Sequence, residues 1–287
     1  MIDPPLPVAR DVASLRTATA AWWRAGQRIA LVPTMGALHD GHIALVEAGR
    51  RAADRVVVSL FVNPKQFGPA RILRAIRARR RRTANVSPLP ASISSTRPAW
   101  RRCIPTASRP SVSLGGALTE SLEGAWRPGH FTGVATVVLK LLLQTQPDIA
   151  LFGEKDYQQL QVIRRMARDL DLAVEIAAVP TVRDAHGLAL SSRNARLSEA
   201  ELVVARWMNR MLADVAQQLR ATPDAVDAVS AGAVSALIAA GFASVDYVAV
   251  VDARSLEPVA RAAGACRILV AAHLGSVRLI DNLSLEL

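Results

Sequence analysis

"RIALVPTMGALHDGHIALVEAGRRAADRVVVSLFVNP", residues 28–64, decides the fold class of this chain. "RIALVP" is a short apolar run rich in strand formers, and "RVVVSLFVNP" from Arg55 is a second, nearly unbroken one. Between them a glycine-containing turn, "TMGALHDG", opens into "HIALVEAGRRAAD", where Ile43, Leu45, Val46 and Ala53 recur at helical spacing. Strand, turn, helix and strand in this order form a βαβ unit. Strands that are apolar throughout are buried on both faces, as in a parallel sheet covered by helices. The alternation returns downstream: "HFTGVATVVLKLLLQTQ" reads as a helix, "DIALFGEKD" as a strand entering a polar turn, "YQQLQVIRRMARDLDL" as an amphipathic helix and "AVEIAAVPTVR" as a strand. The expectation is α/β, a Rossmann-like doubly wound parallel sheet spanning residues 1–185. From residue 186 the texture changes. A Ser198–Glu201 capping box opens a strongly helical run, and "SVDYVAVVDARSLEPV" and "CRILVAAHLGSVRLIDNLSL" read as strands. This predicts a second, smaller α+β domain over 186–287, with the boundary near 184–197.

The totals bound the remaining classes. With 287 residues the chain is one large domain or two ordinary ones, and an apolar share of 51% excludes a disordered class. The net charge of +11 suggests a polyanion partner until it is located. Residues 71–110, "RILRAIRARRRRTANVSPLPASISSTRPAWRRCIPTASRP", hold 11 arginines, no lysine and no acid. The other 24 basic residues balance the 24 acids, so the excess belongs to one segment and predicts no specific nucleic-acid partner. Two cysteines, Cys103 and Cys266, make neither a disulfide framework nor a metal quartet, and the N-terminus lacks the apolar core of a secretory signal. Both suit the cytoplasm. The most membrane-like window, from Ala228, is built of Ala, Gly and Ser and reads as a packed helix.

Four stretches carry chemistry. In "PTMGALHDGH" the imidazoles of His39 and His42 lie three apart where the loop enters a helix. Backbone N–H groups there lack helical partners and the helix dipole is positive, so the position suits phosphate. Gly36 lets backbone approach a ligand and Gly41 leaves room between the histidines. An HxGH nucleotidyl-transfer site, two surface histidines and an HxxH metal pair are the open readings. In "FVNPKQFG", Asn63 and Gln66 lie just past the carboxyl end of a strand, where open α/β sheets bind ligands, or in an ordinary turn. In "FGEKDYQQLQ", Lys155 and Asp156 follow a strand, with Gln159 one turn into the next helix; they fit phosphate or magnesium-bound ligand, or simply a charged turn. In "GLALSSRN", two hydroxyls and Arg193 form either an anion clamp or a serine-rich linker.

Taken in order, "PTMGALHDGH", "FVNPKQFG", "SLEGAWRPGHFTGVATVV", "FGEKDYQQL", "VPTVR" and "DAHGLALSSRN" resemble the motif set of the pantothenate synthetase (pantoate–β-alanine ligase) family. That resemblance implies a Rossmann-like domain with a smaller lid domain, as a homodimer. It implies ATP-dependent joining of pantoate and β-alanine through an enzyme-bound pantoyl adenylate, with release of AMP and pyrophosphate, and magnesium accompanying ATP. By motif, Met35, Gly36, Ala37, Leu38, His39, Asp40, Gly41 and His42 line the nucleotide, with His39 and His42 on phosphates and His42 as proton donor. Gly153, Glu154, Lys155, Asp156, Val182, Leu190, Ser191, Ser192 and Arg193 complete the ATP site. Gln66 and Gln159 hold pantoate, Gln66 also meets β-alanine, and Arg127 lies near the substrates. A simple adenylyltransferase of the same fold is the alternative.

Where residues 71–110 stand, the family has an acidic loop with a Tyr-Pro pair, a helix, a strand and a second Tyr-Pro. Regrouping the codons one nucleotide earlier restores them. From Ile72 the letters can become "DLARYPRT", from Thr83 "DGERLAAAGVDLVYAP", and the stretch ending at Pro110 "AEMYPDGFAT". The expectation is that 71–110 is read out of frame, folds poorly and leaves the chain with little or no ligase activity. A basic nucleic-acid arm or an evolved linker are the rival readings of the segment.

Overall fold

The computed structural model describes residues 8–36, 38–61, 93–96 and 111–287, with 93–96 described by backbone alone. Ala37, Asn63, Gln66 and most of 71–110 therefore lie outside the described residues. Contacts divide the chain into two units. The first takes residues up to Leu114, Arg127–Glu154 and Gln159–Pro180; the second takes Gly115–Trp126, Lys155–Gln158 and Thr181–Leu287. The second unit thus gathers two earlier pieces of chain along with the C-terminal region expected from residue 186.

In the first unit the expected βαβ pattern is present. Strand β1 (Val8–Ala9) is followed by helix α1 (Val12–Arg24), β2 (Ile29–Thr34), α2 (Asp40–Ala52), β3 (Arg55–Leu60), β4 (Ile93–Thr96), α5 (His130–Thr145, after two short helices of the other unit, α3, Ala117–Glu120, and α4, Glu123–Trp126), β5 (Ile149–Gly153), α6 (Tyr157–Asp169) and β6 (Glu175–Val179). The sheet order is β1-β4-β3-β2-β5-β6, every pairing parallel. Ile29, Ala30, Leu31 and Val32 of β2 are wholly buried, as their unbroken apolar run requires. Ala30 and Val32 join Leu45 and Val46 of α2, Val56 and Val58 of β3, and Leu151 of β5 in one cluster. Gly49 makes this fit possible: a Cβ there would lie 3.3 Å from the Ala30 Cβ and 3.4 Å from Leu151 Cδ2. The chain passes from β2 to β3 on one side, and β5 pairs with β2 on the other. The order reverses between β2 and β5, which is where doubly wound sheets bind ligands, at the carboxyl ends of the strands.

In the second unit, β7 (Ser244–Asp252), β8 (Ala265–Leu274) and β9 (Val277–Glu286) form an antiparallel sheet. Helices α7 (Glu199–Ala205), α8 (Trp207–Ala221) and α9 (Val226–Ala239) precede it. The Ser198–Glu201 box is formed: Ser198 N–H donates to Glu201 Oε2 at 2.8 Å and Glu201 N–H to Ser198 Oγ at 3.3 Å. One core joins Met208, Leu212, Val215 and Leu219 of α8, Leu237 of α9, and Ile268 and Val270 of β8. The membrane-like window begins inside α9, and among the described residues no helix is long and apolar enough to cross a membrane.

Candidate active site

The turn leaving β2 places the two histidines in reciprocal contact. His39 is the N-cap of α2, with extended backbone, and His42 lies three residues on. His39 Nδ1 accepts from the Gly41 N–H at 3.2 Å, and His42 Nδ1 accepts from the His39 N–H at 3.3 Å. Histidine here does what serine or aspartate usually does at a helix start. A backbone N–H can only donate, so each Nδ1 carries a lone pair, and each neutral imidazole carries its proton on Nε2. The ring centroids are 4.1 Å apart. Gly41 enforces this packing: a Cβ on it would sit 2.9 Å from His39 Cε1 and 3.0 Å from His39 Nδ1. Gly36 adopts φ +85°, which a side chain would resist, and Met35 beside it is exposed. Leu38 is half-buried and Asp40 exposed. Thr34 Oγ1 donates to the Ser59 carbonyl at 2.7 Å, tying the ends of β2 and β3.

β5 ends at Gly153, and Glu154–Asp156 make a single turn of 3-10 helix before α6. Within the second unit Lys155 meets the loop that follows Arg183. A shallow cleft there is lined by Lys155, Ser191, Arg193, Asn194, Arg278 and Asp281, among others. Lys155 Nζ lies 3.9 Å from Asp156 Oδ2. The loop is internally braced: Leu190 N–H donates to the Val182 carbonyl at 2.9 Å, and Arg193 N–H to Ser191 Oγ at 3.2 Å. Arg193 Nη1 donates to the Arg278 carbonyl at 3.1 Å, which ties the clamp to β9. Ser192 is exposed.

The structure therefore brings His39 to His42 in the first unit, and Lys155 to Ser191 and Arg193 in the second. Gln159 and Arg127 belong to the first unit and are half-buried, at the start of α6 and just before α5. Among the described residues no group of three or more His, Cys, Asp or Glu side chains could hold a metal ion, so the HxxH pair has no third such ligand there.

Several polar residues of the second unit escaped the sequence reading because their partners are far away in sequence. Glu123, on α4, accepts from Tyr247 Oη at 2.9 Å and from Arg278 Nη1 at 2.8 Å, while Arg278 Nε donates to Asp246 at 2.6 Å. Burial pushes the Tyr247 hydroxyl pKa far up and the Glu123 charge adds to it, so the phenol stays protonated and donates. Burial works against the Arg278 charge, but Glu123 and Asp246 outweigh it and raise its pKa. Gln158 is buried and fully engaged: its Oε1 accepts from Glu123 N–H at 3.0 Å and its Nε2 donates to the carbonyls of Leu118 and Ser121. The only signal in the sequence was its position inside the "DYQQL" motif.

A family model for pantoate-beta-alanine ligase matches residues 7–284. The chain belongs to the pantoate–beta-alanine ligase family. It is 50% identical over 285 residues to a pantothenate synthetase of Rhizorhabdus wittichii, covering 98% of this chain and 99% of that one. A pantothenate synthetase of Paramagnetospirillum magneticum is also 50% identical, over 97% of this chain and 98% of its own. Among solved structures, a pantothenate synthetase from Thermus thermophilus superposes with a TM-score of 0.79 at 41% identity, covering 97% of this chain and 99% of that one. The pantoate-beta-alanine ligase from Francisella tularensis, complexed with beta-gamma ATP and beta-alanine, superposes with a TM-score of 0.75 at 29% identity, each chain covered to 97%. The fold class expected from the βαβ pattern is thus that of the ligase family.

Proposed function

We propose that this chain carries the ligase chemistry of its family: ATP-dependent condensation of pantoate with β-alanine to give pantothenate, AMP and pyrophosphate. The pantoate carboxylate attacks the α-phosphorus of ATP and pyrophosphate leaves. The β-alanine amine then attacks the acyl carbon of the resulting adenylate, loses a proton and expels AMP as the amide forms. Such chemistry needs positioning and charge stabilisation more than covalent catalysis. The observation that carries the reading is the histidine cap. Two imidazoles whose Nδ1 atoms are committed to backbone N–H groups have only Nε2–H to offer a ligand, which suits donation to phosphate oxygens as charge builds.

On this reading Met35–His42 line the nucleotide, His39 and His42 donate to its phosphates, and His42 is the proton donor. Gly153–Asp156, Val182 and Leu190–Arg193 bind ATP, with Lys155 and Arg193 neutralising phosphate charge. Gln66, Gln159, Asn63 and Arg127 serve pantoate and β-alanine. Magnesium enters with ATP. The described residues provide no carboxylate cage, and Asp156 offers one exposed carboxylate, which fits an ion held mainly by phosphate and water. The assembly proposed is a homodimer in the cytoplasm.

Residues 71–110 are proposed to be the out-of-frame copy of the segment that walls the family's substrate site. The support for this reading is in the letters themselves: regrouped, they restore the acids, the helix, the strand and both Tyr-Pro pairs in order. Sequencing the DNA across codons 65–115 tests it directly. The activity test measures AMP. Frame-restored protein should release AMP only when pantoate and β-alanine are both present, and the chain as written little or none. A stable adenylylated product that β-alanine does not consume would favour the adenylyltransferase instead.

A further inference from the structure

The two pieces of the second unit proposed to bind ATP come from distant parts of the sequence; of two consecutive residues of β9, Asn282 touches the first and Asp281 reaches the second through Arg183. Asp281 and Asn282 are 3% and 2% exposed. Asp281 takes both terminal nitrogens of Arg183, Nη1 at 2.6 Å and Nη2 at 2.9 Å, a paired geometry that fixes the guanidinium plane. Arg183 Nη1 also donates to the Gly187 carbonyl at 3.0 Å, so the ion pair holds the start of the loop that carries Ser191–Arg193. Asn282 Nδ2 donates to the Lys155 carbonyl at 2.9 Å, across 127 residues of chain. Its Oδ1 accepts from Arg267 Nε at 2.7 Å, and Arg267 in turn stacks on Tyr157, its Cζ 4.0 Å from the ring centroid.

The chemistry of the partners leaves Asn282 one orientation. Arginine can only donate and a carbonyl can only accept, so the amide must turn its oxygen to Arg267 and its nitrogen to Lys155. The Asp281 carboxylate also accepts from the Asn282 N–H at 2.8 Å, which couples the two side chains through one peptide.

We propose that Asp281 and Asn282 are positioning residues for nucleotide binding: Asn282 sets the backbone from which Lys155 projects, and Asp281 sets the Ser191–Arg193 loop through Arg183. This rests on the reading that Lys155 and the loop bind ATP. Neither residue needs to touch the ligand. Either role needs the amide nitrogen to satisfy the Lys155 carbonyl; a purely structural role would show in overall stability alone, whereas the positional role shows in nucleotide affinity that depends on Lys155.

Asn282→Asp separates the two. It has nearly the same shape and keeps an acceptor for Arg267, now as an ion pair, but it puts an oxygen against the Lys155 carbonyl. The probe is the non-hydrolysable analogue adenosine 5′-(α,β-methylene)triphosphate, titrated calorimetrically into the full chain, alongside thermal melting and amide hydrogen exchange. Asn282→Asp should weaken analogue binding about tenfold or more, with faster exchange at 154–158 and a melting midpoint within a few degrees of the parent. Asp281→Asn should speed exchange at 187–194 instead. In a Lys155→Ala background, Asn282→Asp should cause a clearly smaller further loss of affinity, since the side chain it positions is gone. Undiminished affinity in Asn282→Asp, or an equal loss with and without Lys155, overturns the positioning role while leaving the ATP reading intact. A parent that fails to bind the analogue even after its reading frame is restored across 71–110 overturns the ATP reading and this proposal with it.

Discussion

Gly41→Ala is the substitution in which stability and function should part company. Gly41 is the second residue of α2 and lies outside the positive-φ glycines, so alanine meets no backbone strain. Helix propensity favours alanine there by up to about 1 kcal/mol. The new methyl, however, would lie 2.9 Å from His39 Cε1 and 3.0 Å from Nδ1, well inside van der Waals contact. The imidazole must rotate, and rotation breaks the Nδ1 acceptor for the Gly41 N–H. Losing a cap costs about 0.5–2 kcal/mol. Gain and loss nearly cancel, so the melting midpoint should move by only a few degrees.

Nucleotide binding has no such compensation. If His39 Nε2–H donates to a phosphate oxygen, a charge-assisted bond of about 1.5–3 kcal/mol is lost when the ring turns away. At about 1.4 kcal/mol per factor of ten, affinity should fall roughly tenfold to a hundredfold. The assay pairs calorimetric titration of the analogue with nitrogen-15 NMR of the imidazoles, which reads the tautomer directly. Gly41→Ala protein that binds as tightly as the parent, with His39 still protonated on Nε2 alone, would refute the packing argument. Loss of affinity with an unchanged His39 signal would mean that Gly41 makes room for the ligand itself.

Other perturbations test the frame around the site. Leu212 is wholly buried on α8, and Leu212→Ala should cost the second unit about 2–5 kcal/mol in chemical denaturation. Gln158→Ala removes the acceptor for the buried Glu123 N–H and two donor bonds to the half-buried Leu118 and Ser121 carbonyls, so it should cost about 1–3 kcal/mol and speed hydrogen exchange across 117–124. Acid should destabilise the second unit. Hydrogen bonds from the Ser198 backbone and side chain hold the Glu201 carboxyl below its ordinary 4.5, and those from Ser255 and Arg254 hold Asp252 below 3.8. A lowered folded-state pKa contributes stability that is full above the ordinary value and disappears as pH falls through the lowered one. Denaturation midpoints should therefore drop below about pH 4.5, and Glu201→Gln should flatten that drop.

What could be read from the letters was local. The apolar runs at β2 and β3, the helical spacing of Leu45 and Val46 and the Ser198–Glu201 box each depend on neighbours within a few residues, and each is present. The histidine pair was visible as a spacing, but its reciprocal use of Nδ1 was not, because that depends on how the backbone turns at His39. The β9 pair was invisible for a different reason. "IDN" has no periodicity or charge pattern of its own, and its meaning comes from Arg183, which lies 98 residues from Asp281, and from Lys155, which lies 127 from Asn282. Pieces 115–126 and 155–158 join the second unit by the same long-range bonds, Glu123 to Arg278 and Tyr157 Oη to the Ala253 carbonyl.

The arginine-rich segment tests how much a sheet needs its sequence. Ile93–Thr96 pairs in parallel with β3 on one side and β1 on the other, so it is an inner strand. Parallel pairing is a backbone ladder and asks nothing of side-chain identity. Inner parallel strands are nevertheless apolar almost throughout, and "ISST" has three hydroxyl residues in four. The regrouped letters put "DLVY" at these same four positions, two of them apolar and a third aromatic. Each fully buried aliphatic or aromatic side chain contributes about 1.5–3 kcal/mol relative to exposure. Restoring the frame should therefore raise the unfolding midpoint of the first unit, seen as slower exchange at β2 and β3, while exchange in β8 stays as it was. If both versions melt alike, the backbone ladder alone suffices there, and the cost of the altered segment must fall on the substrate wall instead of the sheet.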